Sequence, residues 1–374
     1  MSALLALLLT ACPSYTASST NNTYNCGVEA VNGTNPTVAQ WQDRFDVVAQ
    51  GPAAWGSDGP AVSNIGSGCG KPNPTTQVPA TFPCELLRAI AMQESGWRQF
   101  CVPTSPADQV GGSSRTLISF DCGYGVGQVT SGMHAGEAPA FDRARVAGDA
   151  LYNLATGASI LASKWRATSC VGDNQPTVVE HWYTSVWAYN GLAYSNNPNN
   201  PNYSPTRGVW NPNVGGAVPY QERVFGWVEH PPDAQHWSAV ALAYPSLGDI
   251  PTTGGNPGTL PEPKCATPTS CTTTRATHRS ACAPPLDGGV PDAGVVDAGA
   301  PDAGVVDGGQ PDAGVTDAGT ADAGAPVTLE VVLSVQGPVT HRGCGCGAGE
   351  GAGLVPLAWL ISVWRRRRGK SAWT

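Results

Sequence analysis

The chain has 374 residues, of which 46 are glycine, 33 proline and only 13% charged. Its net charge is -8, which eight aspartates of one repetitive tract account for. The remainder is near neutral, and this excludes the basic surface that nucleic-acid binding requires. Gly and Pro gather after about residue 250, so one folded domain of roughly 200 residues is expected rather than two.

In chain order, an apolar run from Ala3 to Leu9 leads into Thr10-Ala11-Cys12. Residues 1–12 resemble a bacterial lipoprotein signal, with Cys12 as the lipid-bearing residue; a plain secretory signal cut nearby is the other reading. The run is short and no Lys or Arg precedes it, which leaves room for a start further upstream. Either reading sends the chain out of the cytoplasm to the cell envelope. Twelve cysteines fit that compartment.

Six cysteines (Cys26, Cys69, Cys84, Cys101, Cys122 and Cys170) fall in the expected folded region, 26–250, and none forms a CxxC pair. His134, His181, His230, His236, His278 and His341 are scattered without metal-ligand spacing. No metal and no cofactor is therefore expected. The six cysteines read as three disulfides of open connectivity.

The folded region reads as mainly α. Asn35-Pro36 precedes Val38, Trp41, Phe45 and Val48, a helical stripe. Pro83 stands at the first turn of CELLRAIAMQESGW, where proline suits a helix start. Leu151, Leu154, Ala158, Leu161 and Trp165 form another apolar face. Pro176 opens a predicted helix with Val179, Trp182, Val186 and Tyr189 on one side and Gly191 at its end. Residues 220–229 and 234–243 read as two further short helices. Trp97, Trp165, Trp182, Trp187, Trp210, Trp227 and Trp237 are taken as core, because most fall at helical apolar positions.

Residues 251–285 are rich in Thr and Pro and read as a linker, in which Cys265, Cys271 and Cys282 form an odd trio. Over 286–326 an aspartate recurs every fifth residue (Asp287, Asp292, Asp297, Asp302, Asp307, Asp312, Asp317 and Asp322), each in an Asp-x-Gly context. Such a tract has too few apolar groups to form a core, so a disordered, self-repelling acidic stalk is expected. Over 340–374 come Gly343-Cys344-Gly345-Cys346-Gly347, an apolar stretch from Leu354 to Trp364 and four arginines, Arg365 to Arg368. This order resembles the MYXO-CTERM sorting tails of surface proteins, with Cys344 and Cys346 as the sorting motif. The arginines would hold their end on the cytoplasmic side. A membrane contact through the Cys12 lipid, this tail, or both is expected.

Four segments stand in a telling order. They are Gln93-Glu94-Ser95-Gly96; Gly123-Tyr124-Gly125-Val126-Gly127-Gln128; Asn153-x3-Gly157-x2-Ile160-Leu161; and Ala188-Tyr189-Asn190-Gly191, with Tyr220-x2-Arg223-Val224 behind them. The series resembles the lytic transglycosylase (SLT-type) and goose-type lysozyme family over residues 82–230. The resemblance implies a lysozyme-like helical domain acting as a monomer on peptidoglycan glycan strands. Glu94 would be its single catalytic acid/base. Tyr189 would border Glu94 and hydrogen-bond to the acid or to the sugar acetamido group. Gln128 and Asn190 would hold sugar amides and hydroxyls, Gly127 and its turn would let the glycan approach the backbone, and Ser95 would orient the helix end.

The residues themselves make the chemistry intelligible. Leu87 and Ile90 lie on the helical face of Glu94, and burial beside apolar groups keeps a carboxylic acid protonated near neutral pH. One carboxylate suffices where the substrate's own acetamido oxygen attacks the anomeric carbon, an exception to the usual carboxylate pair. There are departures from the family pattern. The 34 residues from Glu94 to Gln128 form a long separation, and Gly-Val-Gly-Gln stands where Gly-Leu-Met-Gln is usual. A Cys101–Cys122 bridge is expected to pin the added loop. Asp121 is the candidate second carboxylate, which would make the enzyme a hydrolytic muramidase. A surface wall-binding protein without activity is the alternative from another class, and a disulfide-rich adhesin with no glycan target is a third.

Overall fold

Thr37 opens the first helix with a capping box: its hydroxyl accepts from the Gln40 N–H, and the Gln40 side chain accepts from the Thr37 N–H at 3.0 Å. Helix α1, Val38–Ala49, then buries Trp41, Phe45 and Val48, the stripe read from the sequence. The computed structural model describes residues 25–62, 69, 80–101 and 114–282. Cys12, the aspartate tract, Cys344, Cys346 and the apolar tail lie outside them. No helix among the described residues is long and apolar enough to cross a membrane.

The fold is helix-rich, with few and short strands. A single turn, α2, covers Pro52–Trp55, and α3 spans Cys84–Ser95 behind Pro83. Asp142 and Asp149 accept from the free N–H groups that open α4, Arg143–Gly148, and α5, Ala150–Ala167. Helix α6, Tyr183–Tyr189, and α7, Tyr220–Glu229, complete the helical body. Helix α3 packs along α7, α5 along α6, and α1 leans on both α3 and α5. Strands β1, Asn32–Gly33, and β2, Ser114–Arg115, pair antiparallel with Asn32 opposite Arg115.

The larger of two cores is built from Trp41, Phe45, Trp97, Trp165, Trp182 and Trp187 among others, and a smaller one gathers Tyr124, Val129, Met133, Val146 and Tyr152. The rings of Trp165 and Trp182 approach to 4.1 Å between centroids, and Phe82 lies 5.8 Å from Trp182. Each such ring buried contributes roughly 1.5–3 kcal/mol. Trp97 and Trp237 join the same core, but Trp210 and Trp227 stay half-buried.

The structure corrects four expectations. The helix read after Pro176 is shorter, because Val179–Trp182 form a 3-10 turn and the α-helix begins only at Tyr183. Residues 234–243 form turns and extended chain instead of a helix. Cys101 and Cys122 are not partners: Cys122 is bridged to Cys26, and Cys101 is disulfide-bonded elsewhere. Cys69 pairs with Cys170.

The fourth correction concerns the expected linker. Over 251–282 the chain is a folded strap containing the hairpin of β3, Cys265–Thr267, and β4, Ser270–Thr274. Cys265 pairs with Cys271 and Cys282 with Cys84, which places the odd trio. Leu260, Cys265 and Ala266 are buried. Two carboxylates of the helical body take up the strap's donors. Glu180 accepts from the His278 N–H at 2.9 Å, and Glu85 from the Ala281 N–H at 2.8 Å and the Ser280 hydroxyl at 2.6 Å. A Thr/Pro-rich stretch is a poor helix but an adequate hairpin once apolar contacts and partnered hydrogen bonds hold it.

Candidate active site

Helix α3 carries Glu94 in its last turn, with Leu86, Leu87, Ile90 and Ala91 buried behind it. Gly96 ends the helix in the left-handed region (φ 62), so the N–H groups of Gly96 and Trp97 return to the carbonyls of Met92 and Ala91. Ser95 ties this end to the next segment. Its hydroxyl lies 3.1 Å from the Ala91 carbonyl and 3.0 Å from the Val126 carbonyl, and it accepts from the Arg98 N–H at 3.1 Å. Ser95 thereby contacts both the helix and the glycine-rich turn.

That turn is a tight hairpin in which Tyr124 and Val129 exchange backbone hydrogen bonds. Two buried amides position it. Gln99 Oε1 accepts from the Val126 N–H at 3.1 Å, and Asn153 Oδ1 accepts from the Gly127 N–H at 2.9 Å. The Asn153 amide also donates to the carbonyls of Tyr124 and Val146, so its buried polar atoms are used. Glycine is required where these amides come close. A Cβ on Gly125 (φ +62) would stand 2.2 Å from Gln99 Oε1; at Gly157 the approach is tight but not closed, with an added Cβ 3.1 Å from the Tyr189 hydroxyl.

Glu94 is partly buried, and its Oε1 accepts a short hydrogen bond from the Tyr220 hydroxyl. Burial raises its pKa, the Tyr220 bond opposes that, and the negative charge of Asp121 adds to it; the net result is a carboxyl pushed up to about 7. Tyr220 lies on the first turn of α7 and is itself held well above its ordinary pKa by burial and by the charge of Glu94. Tyr189 is near enough for Glu94 to raise its pKa too, after burial. Its hydroxyl, however, donates to the Gly127 carbonyl at 2.8 Å. The phenol bonded to the acid is thus Tyr220; of the two partners expected for Tyr189, the acid or the sugar acetamido group, the acid is bonded by Tyr220 instead.

The remaining expected site residues fall into two groups. The charge of Asp121 is felt at the acid, and its carboxylate accepts from the Ser119 hydroxyl at 2.5 Å. Gln128 adopts a left-handed φ of 46 and donates its amide to the Gly125 carbonyl at 2.8 Å, inside its own turn. Asn190 closes α6 and accepts from Asn196 Nδ2 at 3.1 Å, while Asn196 Oδ1 accepts from the Tyr220 N–H at 3.4 Å. Asn190 therefore seats Tyr220 indirectly. Sequence reasoning noted Tyr220 only as part of a closing element and gave Asn153 no task; Gln99 carried no signal of its own.

An open depression of about 840 Å³ lies between the helical body and the strap, lined by Asp173, His181 and Glu262 among others. These three stand close enough to share a cation. His181 Nδ1 already accepts from the Gln175 N–H at 2.8 Å, so Nε2 carries the proton and donates to Glu262 Oε2 at 2.9 Å. The group acts here as a hydrogen-bonded tie across the strap. The other cluster, Asp46 with Cys84 and Cys282, has its sulfurs in a disulfide. Comparison of the chain with protein-family models, with curated proteins and with solved structures finds no match.

Proposed function

We propose that this chain is an exported, envelope-anchored enzyme that cleaves the β-1,4 bond between N-acetylmuramic acid and N-acetylglucosamine in peptidoglycan, acting as a lytic transglycosylase. One observation carries the reading: a glutamic acid held neutral up to about pH 7 at the end of a buried helix, with a tyrosine on its carboxyl group and a glycine-rich turn beside it. The four-motif resemblance supplies the substrate class, and the cysteine usage and the two terminal segments support export and membrane attachment.

In this mechanism Glu94 donates its proton to the leaving glycosidic oxygen as the C–O bond breaks. The acetamido oxygen of the muramic acid residue bonds to its own anomeric carbon. The Glu94 carboxylate then removes the proton of the C6 hydroxyl, whose oxygen displaces the acetamido oxygen to give the 1,6-anhydro sugar. The proton returns to Glu94, and no water is consumed. A general acid of this kind is worth about 10²–10⁴ in rate when its pKa lies near the working pH. Tyr220 keeps the carboxyl group oriented in both protonation states.

Asp121 favours a second reading, because it is close enough for its charge to act on Glu94. From there it would serve as the base for a water molecule, and the product would be hydrolysed, as in a muramidase. Purified sacculi treated with the full chain distinguish the outcomes. Transglycosylation releases 1,6-anhydro muropeptides, whereas hydrolysis releases fragments heavier by one water. Glu94→Gln should lower release by about 10³-fold. Binding of sacculi by both proteins without release by either would leave a wall-binding protein and defeat both enzymatic readings.

A further inference from the structure

Among the described residues every tryptophan is buried except Trp210 and Trp227. These two are half-buried and meet edge to face, with ring centroids 5.3 Å apart and planes at 68°. Their position is fixed from several sides. Trp227 lies seven residues after Tyr220 on α7, which puts both on one face of that helix about 10 Å apart along its axis. Its indole N–H donates to Gln93 Oε1 at 3.1 Å, and Gln93 directly precedes Glu94 on α3. Trp210 presses onto α7 at Gly226, where an added Cβ would stand 2.4 Å from the Trp210 carbonyl oxygen, and the Arg223 guanidinium lies 5.8 Å from its ring.

We propose that Trp210, Trp227 and Gln93 form a sugar-binding subsite continuing from Glu94 along α7, taking a neutral N-acetylated hexosamine unit of the glycan strand. The proposal rests on the glycan-cleaving reading above and deepens it. Helix α7 carries Tyr220 in its first turn and Trp227 in its last, and the neighbouring Glu94 and Gln93 of α3 take a hydrogen bond from each, while Trp210 packs on α7 at Gly226. A pyranose offers an apolar C–H face that an indole ring can cover, and tryptophan combines such a surface with a polar handle. Because an indole can only donate, Gln93 must present its oxygen to Trp227. Its NH₂ group is then oriented as a donor, matched to an acetamido carbonyl.

The test uses the full chain carrying Glu94→Gln, so that sugar binds without turnover, and chitohexaose as the probe. Indole N–H resonances are assigned with Trp210→Phe and Trp227→Phe. Titration should move the signals of Trp210 and Trp227 and leave those of Trp165 and Trp182 in place. Trp227→Ala should weaken binding about tenfold, and Trp227→Phe, which keeps a ring, by less than about threefold. Shifts confined to other indoles, unchanged affinity in Trp227→Ala, or no binding of chitohexaose would each overturn the subsite. The cleavage reading fails on a separate readout, the absence of released muropeptides with the wild-type chain. It can fail while the indole shifts stand.

Discussion

The hydroxyl of Tyr220 meets the carboxyl group of Glu94 across 126 residues of sequence. The first turn of α7 is thereby brought onto the last turn of α3, and the bond lowers a pKa that burial raises. Tyr220→Phe removes the lowering influence alone. A hydrogen bond to a charged group is worth about 1.5–3 kcal/mol, so the Glu94 pKa should rise by about one to two pH units. As the acid works only when protonated, activity falls as pH rises through that value. The alkaline limb of the rate profile on sacculi should therefore move to higher pH in Tyr220→Phe, with a lower plateau from lost orientation. A limb left in place would remove Tyr220 from the acid's titration.

Asp121→Asn predicts the opposite displacement. The aspartate charge helps to keep Glu94 protonated, and its removal should let the carboxyl group ionise at lower pH. The alkaline limb then moves down while Tyr220→Phe moves it up, and the double variant should lie between them. Product masses give the second readout. If Asp121 also activates water, the hydrolysed fraction disappears in Asp121→Asn and the 1,6-anhydro fraction persists.

Much of this site could be read from the chain because its parts are local. Glu94 with Leu87 and Ile90, the glycine-rich turn and Asn153-x3-Gly157 each lie within one helix or one turn. Tyr220 could not be assigned that way, since nothing within its own turn reveals that it faces residue 94. Cys122 failed for a related reason. A bridge to Cys101 would pin the added loop locally, whereas the fold brings Cys26 to it from 96 residues away. The strap was missed because composition argues for disorder wherever apolar residues are few. Its attachments are single groups, Leu260, Cys282 and the donors to Glu85 and Glu180, which no periodicity records.

Gly157→Ala separates positioning from stability. Alanine is the better helix former by about 1 kcal/mol, which favours the variant within α5. The added methyl group stands 3.1 Å from the Tyr189 hydroxyl and 3.9 Å from Gly127 Cα, and it presses on the bond between them. A neutral hydrogen bond is worth about 0.5–1.5 kcal/mol, so the two effects nearly cancel in the thermal midpoint. They do not cancel in catalysis, because the turn beside Glu94 is displaced. Activity should fall about ten- to a hundredfold with the melting temperature nearly unchanged. Equal losses of both would mean that the glycine serves packing alone.

The strap gives the molecule a pH optimum of stability that is independent of catalysis. Burial pushes the Glu85 carboxyl up, but hydrogen bonds from His278, Ser280 and Ala281 outweigh it and hold the group at about 2, against an ordinary value of 4.5. Its stabilisation is complete above 4.5 and is lost as pH falls toward 2. Glu180 behaves in the opposite sense. Burial, only partly offset by the N–H groups of Ala243 and His278, raises it to about 7, so its contribution is present below 4.5 and lost as pH rises through 7. Glu94 adds to the same neutral-side loss. In a Glu94→Gln background, thermal unfolding should therefore peak near pH 4.5 and fall on either side by several degrees. Glu180→Gln should flatten the neutral side and Glu85→Gln the acid side, each leaving the other intact. A decline toward pH 7 that survives Glu180→Gln would show that this carboxyl group is not what loosens the strap.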